Sequence, residues 1–255
     1  MVKAGINYID TAPWYGQGRS EEVLGAALAE VPRKAFYLAT KVGRYDLETA
    51  GMFDFSAERV RRSVMESLAR LRLDYIDLIQ VRESDMTVIL TTGLVWAQIH
   101  DVEFCASLEQ IVKFTIPALL QLKAEGKVRY IGLTGYSLDT MARLVSLLAP
   151  DTVNTILTYC RCTLVDQALL EVLQFFKDRN IGVINASPVS MGLLTQRGPP
   201  AWHPATENIK CDLLPFSPHQ HCLLTFSLAG TSVGRPLCTV RNKERISQIW
   251  QYFGA

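Results

Sequence analysis

The chain has 255 residues, 49% of them hydrophobic, which suits one α/β domain with a sizeable core. Its net charge of +1 and scattered basic residues give no reason to expect a nucleic-acid partner, and no apolar run reaches the roughly 18 residues needed to span a membrane. We therefore expect a soluble, cytoplasmic protein with neither nucleic acid nor membrane among its partners.

Strand and helix signals alternate along the chain. Apolar runs predict strands at 6–9, 36–39, 74–80, 128–133, 153–158 and 181–186. Amphipathic runs predict helices at 20–28, 56–71, 117–125, 138–148 and 166–180, with Ser20 and Ser56 as N-caps of the first two. The alternation predicts a parallel sheet with crossover helices, and the unbroken composition predicts a single domain over residues 1–255.

Three side chains that can handle protons follow the first two predicted strands. Asp10 ends the first strand, Tyr15 lies in the loop after it, and Lys41 ends the second strand. Because barrel enzymes keep their catalytic groups at the C-terminal ends of the strands, we expect all three to meet at that edge. The alternative is structural: Asp10 closes a strand, Tyr15 packs in a loop and Lys41 is solvated.

Together, an acid, a phenol and an amine can carry acid–base chemistry. Reduction of a carbonyl by hydride leaves charge on oxygen and needs a positioned acid, and free tyrosine is a poor one at neutral pH. An ammonium group beside a phenol favours the phenolate, and a carboxylate keeps that ammonium charged and oriented. We therefore interpret Tyr15 as the proton donor, Lys41 as its modulator and Asp10 as the anchor of Lys41.

Four ordered motifs resemble those of one known family. They are GINYIDTA at 5–12 with Tyr15-Gly16, LDYIDL at 73–78, GKVRYIGL at 126–133 and SPVSMGLL at 187–194. Over roughly residues 1–210 the chain resembles the aldo-keto reductases, most closely the branch that includes L-galactose dehydrogenase and D-threo-aldose 1-dehydrogenase. The resemblance implies an α/β fold, a (β/α)8 TIM-type barrel that binds NAD(P) without a Rossmann domain. Consistent with this, no Gly-x-Gly-x-x-Gly motif occurs in the sequence.

The resemblance also implies a fourth catalytic group, a His at the end of the third predicted strand, and here the chain departs from the family. Residue 82 is Arg, and His100 follows only after an apparent insertion at 81–98. Either residues 94–99 replace 74–80 as the barrel strand and carry His100 to the active face, or the original strand stays, Arg82 occupies the His position and His100 is displaced. We favour the first alternative and take His100 as the catalytic candidate.

Cofactor contacts are implied by the resemblance as well. Thr134 and Gly135 stand where the family holds the nicotinamide carboxamide, Tyr159 lies near the next contact, and Ala186 replaces an aromatic residue that stacks on nicotinamide in many members. The loop after the sixth predicted strand matches the one that cradles the dinucleotide phosphates, with contact residues Ser187, Pro188, Val189, Ser190, Gly192 and Leu194. The structural alternative for this loop is a plain strand-to-helix turn.

The remaining features concern metals, cysteines and the ends of the chain. His219, His221 and Cys222 match no usual zinc spacing, so we expect no metal site, and we expect the six cysteines to be reduced. Residues 222–229 could form a late strand, but the tail at 211–255 diverges from the family and no strand precedes 6–9. We expect a truncated or alternatively spliced, incomplete barrel of low thermal stability, which a cooperative melt above about 60 °C would contradict.

These observations lead to one leading function and one alternative. The leading hypothesis is an enzyme, an NAD(P)-dependent oxidoreductase that moves hydride between nicotinamide and the carbonyl or alcohol of an aldose or small aldehyde. The alternative is a catalytically silent barrel that binds dinucleotide or a protein partner in a regulatory role. Turnover of a sugar that is abolished by Tyr15→Phe would support the enzyme.

Overall fold

The computed structural model describes residues 2, 5–48, 52–82, 107–163, 166–195, 197–201, 203, 205–207 and 210. Six strands form one parallel sheet: β1 (Tyr8–Asp10), β2 (Tyr37–Val42), β3 (Ile76–Arg82), β4 (Val128–Gly135), β5 (Thr155–Tyr159) and β6 (Gly182–Ala186). Each strand pairs with the next one along the chain, so the spatial order is the chain order. Right-handed crossovers that all advance in one direction place their helices on the same face of the sheet. This is the topology of a barrel, since a doubly wound sheet reverses its strand order at a switch point.

Helices alternate with the strands, as the sequence predicted. They are α1 (Arg19–Ala27), α2 (Ala57–Leu71), α3 (Ile116–Ala124), α4 (Leu138–Leu147) and α5 (Ala168–Lys177). Short 3-10 helices cover Arg33–Ala35 before β2 and Ser190–Gly192 after β6. All the strands and helices predicted between residues 6 and 186 are present, with ends that shift by a few residues.

The N-terminus of α1 differs from the prediction. We expected Ser20 as the N-cap, but the cap position is Gly18, whose φ of 89° is left-handed and which offers no side chain. Ser20 Oγ lies instead 2.9 Å from Thr11 Oγ1 and ties the helix to the loop after β1. The predicted cap of α2 is confirmed, because the Ser56 side chain accepts a hydrogen bond from Arg59 N at 3.3 Å.

The helix before β4 starts earlier than predicted. We placed its start at Pro117, but a helical turn Leu108–Gln110 and a π-helical segment Ile111–Thr115 lead directly into α3. Proline usually interrupts a helix because it has no N–H and its ring clashes with the carbonyl four residues earlier. The wider π turn ahead of Pro117 makes room for the ring, so the helix continues through it.

The third strand decides between the two alternatives for the insertion. Ile76–Arg82 forms β3 between β2 and β4, with Gln80 opposite Lys41 on one side and Gly132 on the other. Our favoured alternative, replacement of this strand by residues 94–99, is therefore wrong. Every residue from Ile76 to Val81 is buried, so displacing this run would expose apolar surface.

Several predictions fall outside the described residues. Of the two residues considered for the fourth catalytic role, only Arg82 is described, and its backbone ends β3 opposite Thr134. His100 and residues 83–98 of the insertion lie outside the described part of the chain, as do the tail at 211–255, the strand predicted at 222–229 and the cluster His219, His221 and Cys222.

The apolar core lies between the sheet and its helices. Ile79 and Val81 of β3 belong to the same buried cluster as Val60 and Val64 of α2. Gln80, between them in sequence, faces the other side of the sheet, because side chains alternate along a strand. No helix in the ranges that the structure describes is long and apolar enough to cross a membrane.

Candidate active site

Asp10, Tyr15 and Lys41 come together at the C-terminal ends of β1 and β2. Lys41 Nζ forms an ion pair with Asp10 Oδ1 and donates a 2.9 Å hydrogen bond to Thr11 O. The same nitrogen lies 5.2 Å from the centroid of the Tyr15 ring. Lys41 is only 4% exposed, so Asp10 rather than water balances its charge. The geometry therefore holds a desolvated ammonium group beside a phenol, as the sequence predicted.

Two residues that we did not predict hold the other oxygen of Asp10. Gln80 Nε2 donates to Asp10 Oδ2 at 2.9 Å and to Tyr8 Oη at 3.1 Å. Tyr8 Oη in turn donates to Asp10 Oδ2 at 3.3 Å. The sequence carries no local signal for this contact, since β3 also contains Asp77 and Arg82. It is the complete burial of the Gln80 amide that requires hydrogen-bond partners, which Asp10 and Tyr8 supply.

A guanidinium group that contacts two aromatic rings joins the loop after β1 to the loop after β2. The Arg44 guanidinium lies 3.9 Å from the ring centroid of Trp14 and 5.6 Å from that of Phe53. Arg44 also pairs with Phe53 in an isolated antiparallel bridge, and Trp14 Nε1 donates to Asp46 O at 3.3 Å. These contacts fasten the loop after β2 to the loop that carries Tyr15. Our sequence analysis missed Arg44, which is buried despite its charge.

The residues predicted to hold nicotinamide lie at the ends of β4 and β5. Thr134 and Gly135 end β4 and are buried, and Tyr159 ends β5. The Tyr159 ring packs against Tyr136 with 5.5 Å between centroids, and Ala186 lies opposite Tyr159 in β6. These positions share the C-terminal edge of the sheet with Lys41.

The predicted phosphate loop is a tight turn after β6. Its predicted contact residues are Ser187, Pro188, Val189, Ser190, Gly192 and Leu194. Ser190 N donates to Ser187 O at 2.9 Å, and Gly192 N and Leu194 N donate to Val189 O at 3.1 and 3.2 Å. Because these N–H groups are used inside the loop, a phosphate would have to meet other groups. The buried Ser190 Oγ has no hydrogen-bond partner among the described residues.

The backbone of this loop is strained, and a histidine supports it. Ser187, Ser190 and Met191 have φ of 54°, 49° and 51°, and such conformations cluster at functional sites. His203 Nε2 lies 3.1 Å from Ser190 O, and Ala205 N donates to His203 Nδ1 at 3.1 Å. Since Nδ1 accepts, the neutral ring with its proton on Nε2 fits both bonds. Burial lowers the pKa of His203, which favours this neutral form, and the sequence analysis missed the residue.

A cysteine beside the loop is unreactive. Burial raises the pKa of Cys160 to about 11, although a hydrogen bond with Ser187 opposes the shift. The thiol is therefore protonated at neutral pH and is a poor nucleophile. Cys160 and Cys162 are both free, as predicted, and the other four cysteines lie outside the described residues.

Comparison with known sequences assigns the chain to a protein family. A sequence model described as the Aldo/keto reductase family matches residues 1–253. L-galactose dehydrogenase of Arabidopsis thaliana is 47% identical over 210 residues, which cover 82% of this chain and 59% of that protein. D-threo-aldose 1-dehydrogenase of Pseudomonas sp is 33% identical over 217 residues, which cover 77% of this chain and 59% of that protein. The chain thus spans about three fifths of the length of these two relatives.

A solved structure supports the same assignment. An aldo-keto reductase of Bacillus halodurans in its holo form matches with a TM-score of 0.70 and 25% sequence identity, covering all of this chain and 79% of that one. The predicted barrel class is confirmed, with the six described strands as part of a (β/α)8 barrel. The predicted resemblance to the sugar-dehydrogenase branch is confirmed as well.

Proposed function

Because this chain belongs to the aldo/keto reductase family, we propose that it is an NAD(P)-dependent oxidoreductase of aldoses or small aldehydes. The single observation that best supports this proposal is the buried Lys41 ammonium, paired with Asp10 and lying beside the Tyr15 ring. The names of two relatives, L-galactose dehydrogenase and D-threo-aldose 1-dehydrogenase, favour an aldose as the substrate.

The proposed chemistry is proton transfer by Tyr15 in concert with hydride transfer. Bound NAD(P)H supplies the hydride to the carbonyl carbon. Tyr15 donates its phenol proton to the carbonyl oxygen, which would otherwise become an alkoxide, and Lys41 stabilises the phenolate that remains. Two of the three ammonium hydrogens of Lys41 bond to Asp10 and Thr11 O, which leaves the third for that phenolate. In the direction of oxidation, the phenolate accepts the proton of the alcohol.

The chain offers groups that fit a dinucleotide. The Thr134 hydroxyl would bind the nicotinamide carboxamide, and the Ser190 hydroxyl, buried without a partner among the described residues, would bind a phosphate. Ser190→Ala should then raise the Kd for NADPH about 10- to 150-fold, which corresponds to about 1.5–3 kcal/mol for a hydrogen bond to a charged group, while kcat stays the same. Titration of nicotinamide fluorescence measures this, and an unchanged Kd would exclude the Ser190 contact.

The fourth catalytic role remains a choice between two residues. Because Ile76–Arg82 remains β3, His100 is not carried by a replaced strand. We nevertheless propose His100 as the donor to the carbonyl oxygen, supplied by the segment that follows β3, since it and Asp101 continue the family motif after the insertion. His100→Ala should then lower kcat by about 10²- to 10⁴-fold, the usual contribution of a positioned proton donor, whereas Arg82→Ala should retain most of the activity. The reverse result would assign the role to Arg82, which ends β3 in the structure.

The decisive experiment for the proposed function uses a panel of aldoses and small aldehydes with NAD and NADP. Tyr15→Phe should lower kcat by about 10²- to 10⁴-fold without loss of cofactor binding. Tyr37→Phe is the matched control, because its phenol lies at the far end of β2 from Lys41 and is 47% exposed. Cofactor binding without turnover of any substrate would contradict the enzyme and support a silent, dinucleotide-binding barrel.

A further inference from the structure

Gln80 makes two directed contacts beside the proposed catalytic groups. It is fully buried in β3 and lies opposite Lys41 in β2, so both side chains stand on the same face of the sheet. Its Nε2 donates to Asp10 Oδ2 at 2.9 Å and to Tyr8 Oη at 3.1 Å. Both amide hydrogens of Gln80 are therefore used, one by the Asp10 carboxylate and one by the Tyr8 phenol. The Tyr8 phenol itself donates to the same carboxylate.

We propose that Gln80 and Tyr8 are positioning residues that fix the carboxylate of Asp10 for its ion pair with Lys41, an inference that rests on the proposed function. Asp10 Oδ1 bonds to Lys41 and Oδ2 bonds to Gln80 and Tyr8, so both oxygens are held from opposite sides. Rotation of the carboxylate would break three hydrogen bonds. The Lys41 ammonium, which depends on Oδ1 and Thr11 O for its direction, is thereby held in place beside Tyr15.

The chemistry of the two groups suits this role. An amide and a phenol add hydrogen bonds to a carboxylate without adding charge, so Lys41 remains the only cation that the structure pairs with Asp10 among the described residues. The amide has only one workable orientation. If it were flipped, its oxygen would face the carboxylate of Asp10, whereas in the structure Gln80 Oε1 is the atom without a partner among the described residues.

Gln80→Met tests the proposal because it keeps the length of the side chain and removes both hydrogen bonds. We expect kcat to fall about 10-fold or more, in line with the loss of a charge-assisted hydrogen bond, while KM for the cofactor changes little. The alkaline limb of the kcat profile against pH should also move, since Asp10, Lys41, Tyr8 and Tyr15 are the titratable groups that the structure brings together here. Leu78→Met is the control, a substitution on the same strand and face with no polar group.

A double-mutant cycle distinguishes positioning of Asp10 by Gln80 from a general effect of Gln80 on the fold. If Gln80 acts through Asp10, Gln80→Met should cause no further loss of kcat in an Asp10→Asn background. Tyr8→Phe should give a smaller loss in the same direction, because it removes the 3.3 Å bond to Asp10 and the bond from Gln80 to Tyr8 but keeps the 2.9 Å bond from Gln80 to Asp10. Equal losses caused by Gln80→Met in both backgrounds would overturn the proposal.

The NMR signal of the Lys41 ammonium in lysine-labelled protein gives a readout that does not need turnover. We expect Gln80→Met to shift or broaden this signal and Leu78→Met to leave it unchanged. An unchanged signal in Gln80→Met overturns the proposal, whatever happens to kcat. If the parent protein turns over no substrate but the signal still responds to Gln80→Met, the proposed function fails and the positioning of Asp10 stands.

Discussion

At the residue scale, a buried charge or ring nitrogen needs neighbouring groups that compensate for the loss of water. Lys41 is 4% exposed and has an acid, a backbone carbonyl and an aromatic ring as neighbours. His203 is another example. It is 8% exposed, and its contact with Ser190 O joins the segment after residue 200 to the proposed phosphate loop. Burial without compensation would be costly for either group, so these contacts are specific rather than incidental.

The stability of the protein should depend on pH through His203. Burial lowers the pKa of His203 in the folded state below the value of about 6.5 in an unfolded chain, so the unfolded state binds the proton more readily. His203 therefore contributes stability above about pH 6.5 that is lost as pH falls through the lowered pKa. Protonation of Nδ1 would also break its bond from Ala205 N.

Thermal melts between pH 5 and 8 measure this contribution. The decrease in Tm on acidification should be smaller in His203→Gln than in the parent protein, because glutamine does not titrate. The comparison cancels the effect of the carboxylates common to both proteins. Parallel curves for the two proteins would show that His203 contributes nothing to the pH dependence.

At the element scale, buried polar groups join helices and strands at defined points. Glu21 of α1 is fully buried, and it accepts hydrogen bonds from Thr40 Oγ1 of β2 at 2.6 Å and from Arg70 Nε of α2 at 2.7 Å. At the other end of the sheet, Asp77 of β3 accepts from Leu38 N of β2 at 2.9 Å and pairs with Arg33. A carboxylate that serves two elements sets their relative position, which apolar packing alone leaves less defined.

Asp77→Ala should destabilise the fold strongly. It leaves Leu38 N without this acceptor and the partly buried Arg33 without the carboxylate that balances its charge, and breaking a buried ion pair costs about 3–5 kcal/mol. Urea unfolding measures the loss. Arg129→Ala is the control, since Arg129 also pairs with Asp77 but its side chain is 56% exposed, and it should change stability little. Similar losses in the two variants would contradict a role for Asp77 as a buried junction.

Gly25→Ala should destabilise the protein although alanine favours helices. A Cβ at position 25 of α1 would lie 2.3 Å from the backbone oxygen of Arg70, at the end of α2. The strain of overpacking, about 1–3 kcal/mol, should exceed the gain in helix propensity of about 1 kcal/mol. Gly182→Ala is the control, because its added Cβ would meet its nearest atoms at 3.6 Å. An unchanged or higher Tm in Gly25→Ala would show that α1 can move away from α2 at no cost.

At the scale of the whole molecule, one apolar cluster connects most of the described sheet to its helices. Its buried members range from Val42 of β2 through Ile79 of β3 to Phe176 of α5. Since the strands follow chain order, each βα unit completes its part of the core only with the next unit. If residues 1–255 form a single domain, as predicted, the protein should unfold in one cooperative transition.

Ile79→Ala and Phe176→Ala should lower the same unfolding transition. Both side chains are fully buried, and each substitution should cost about 2–5 kcal/mol through lost burial and the cavity that remains. Circular dichroism in the near and far ultraviolet should report one coincident transition for each variant. Leu170→Ala, at a position 38% exposed, is the control and should change Tm much less. Two separable transitions would contradict the single domain.

By itself the sequence determined the order of strands and helices, the barrel class and the meeting of Asp10, Tyr15 and Lys41. The order of elements follows from the local hydrophobic period, and the meeting of the three side chains follows from the rule that parallel strands end at one edge. The barrel class was implied by the resemblance of four sequence motifs to the aldo-keto reductases. Only the tertiary structure decided that Ile76–Arg82 remains β3 and that Pro117 lies within a continuous helix. It also decided that Gln80 bonds to Asp10 and that His203 contacts Ser190 O. Those outcomes depend on burial and on contacts between residues far apart in the chain, such as Asp10 and Gln80, which are 70 positions apart, and no local pattern encodes them.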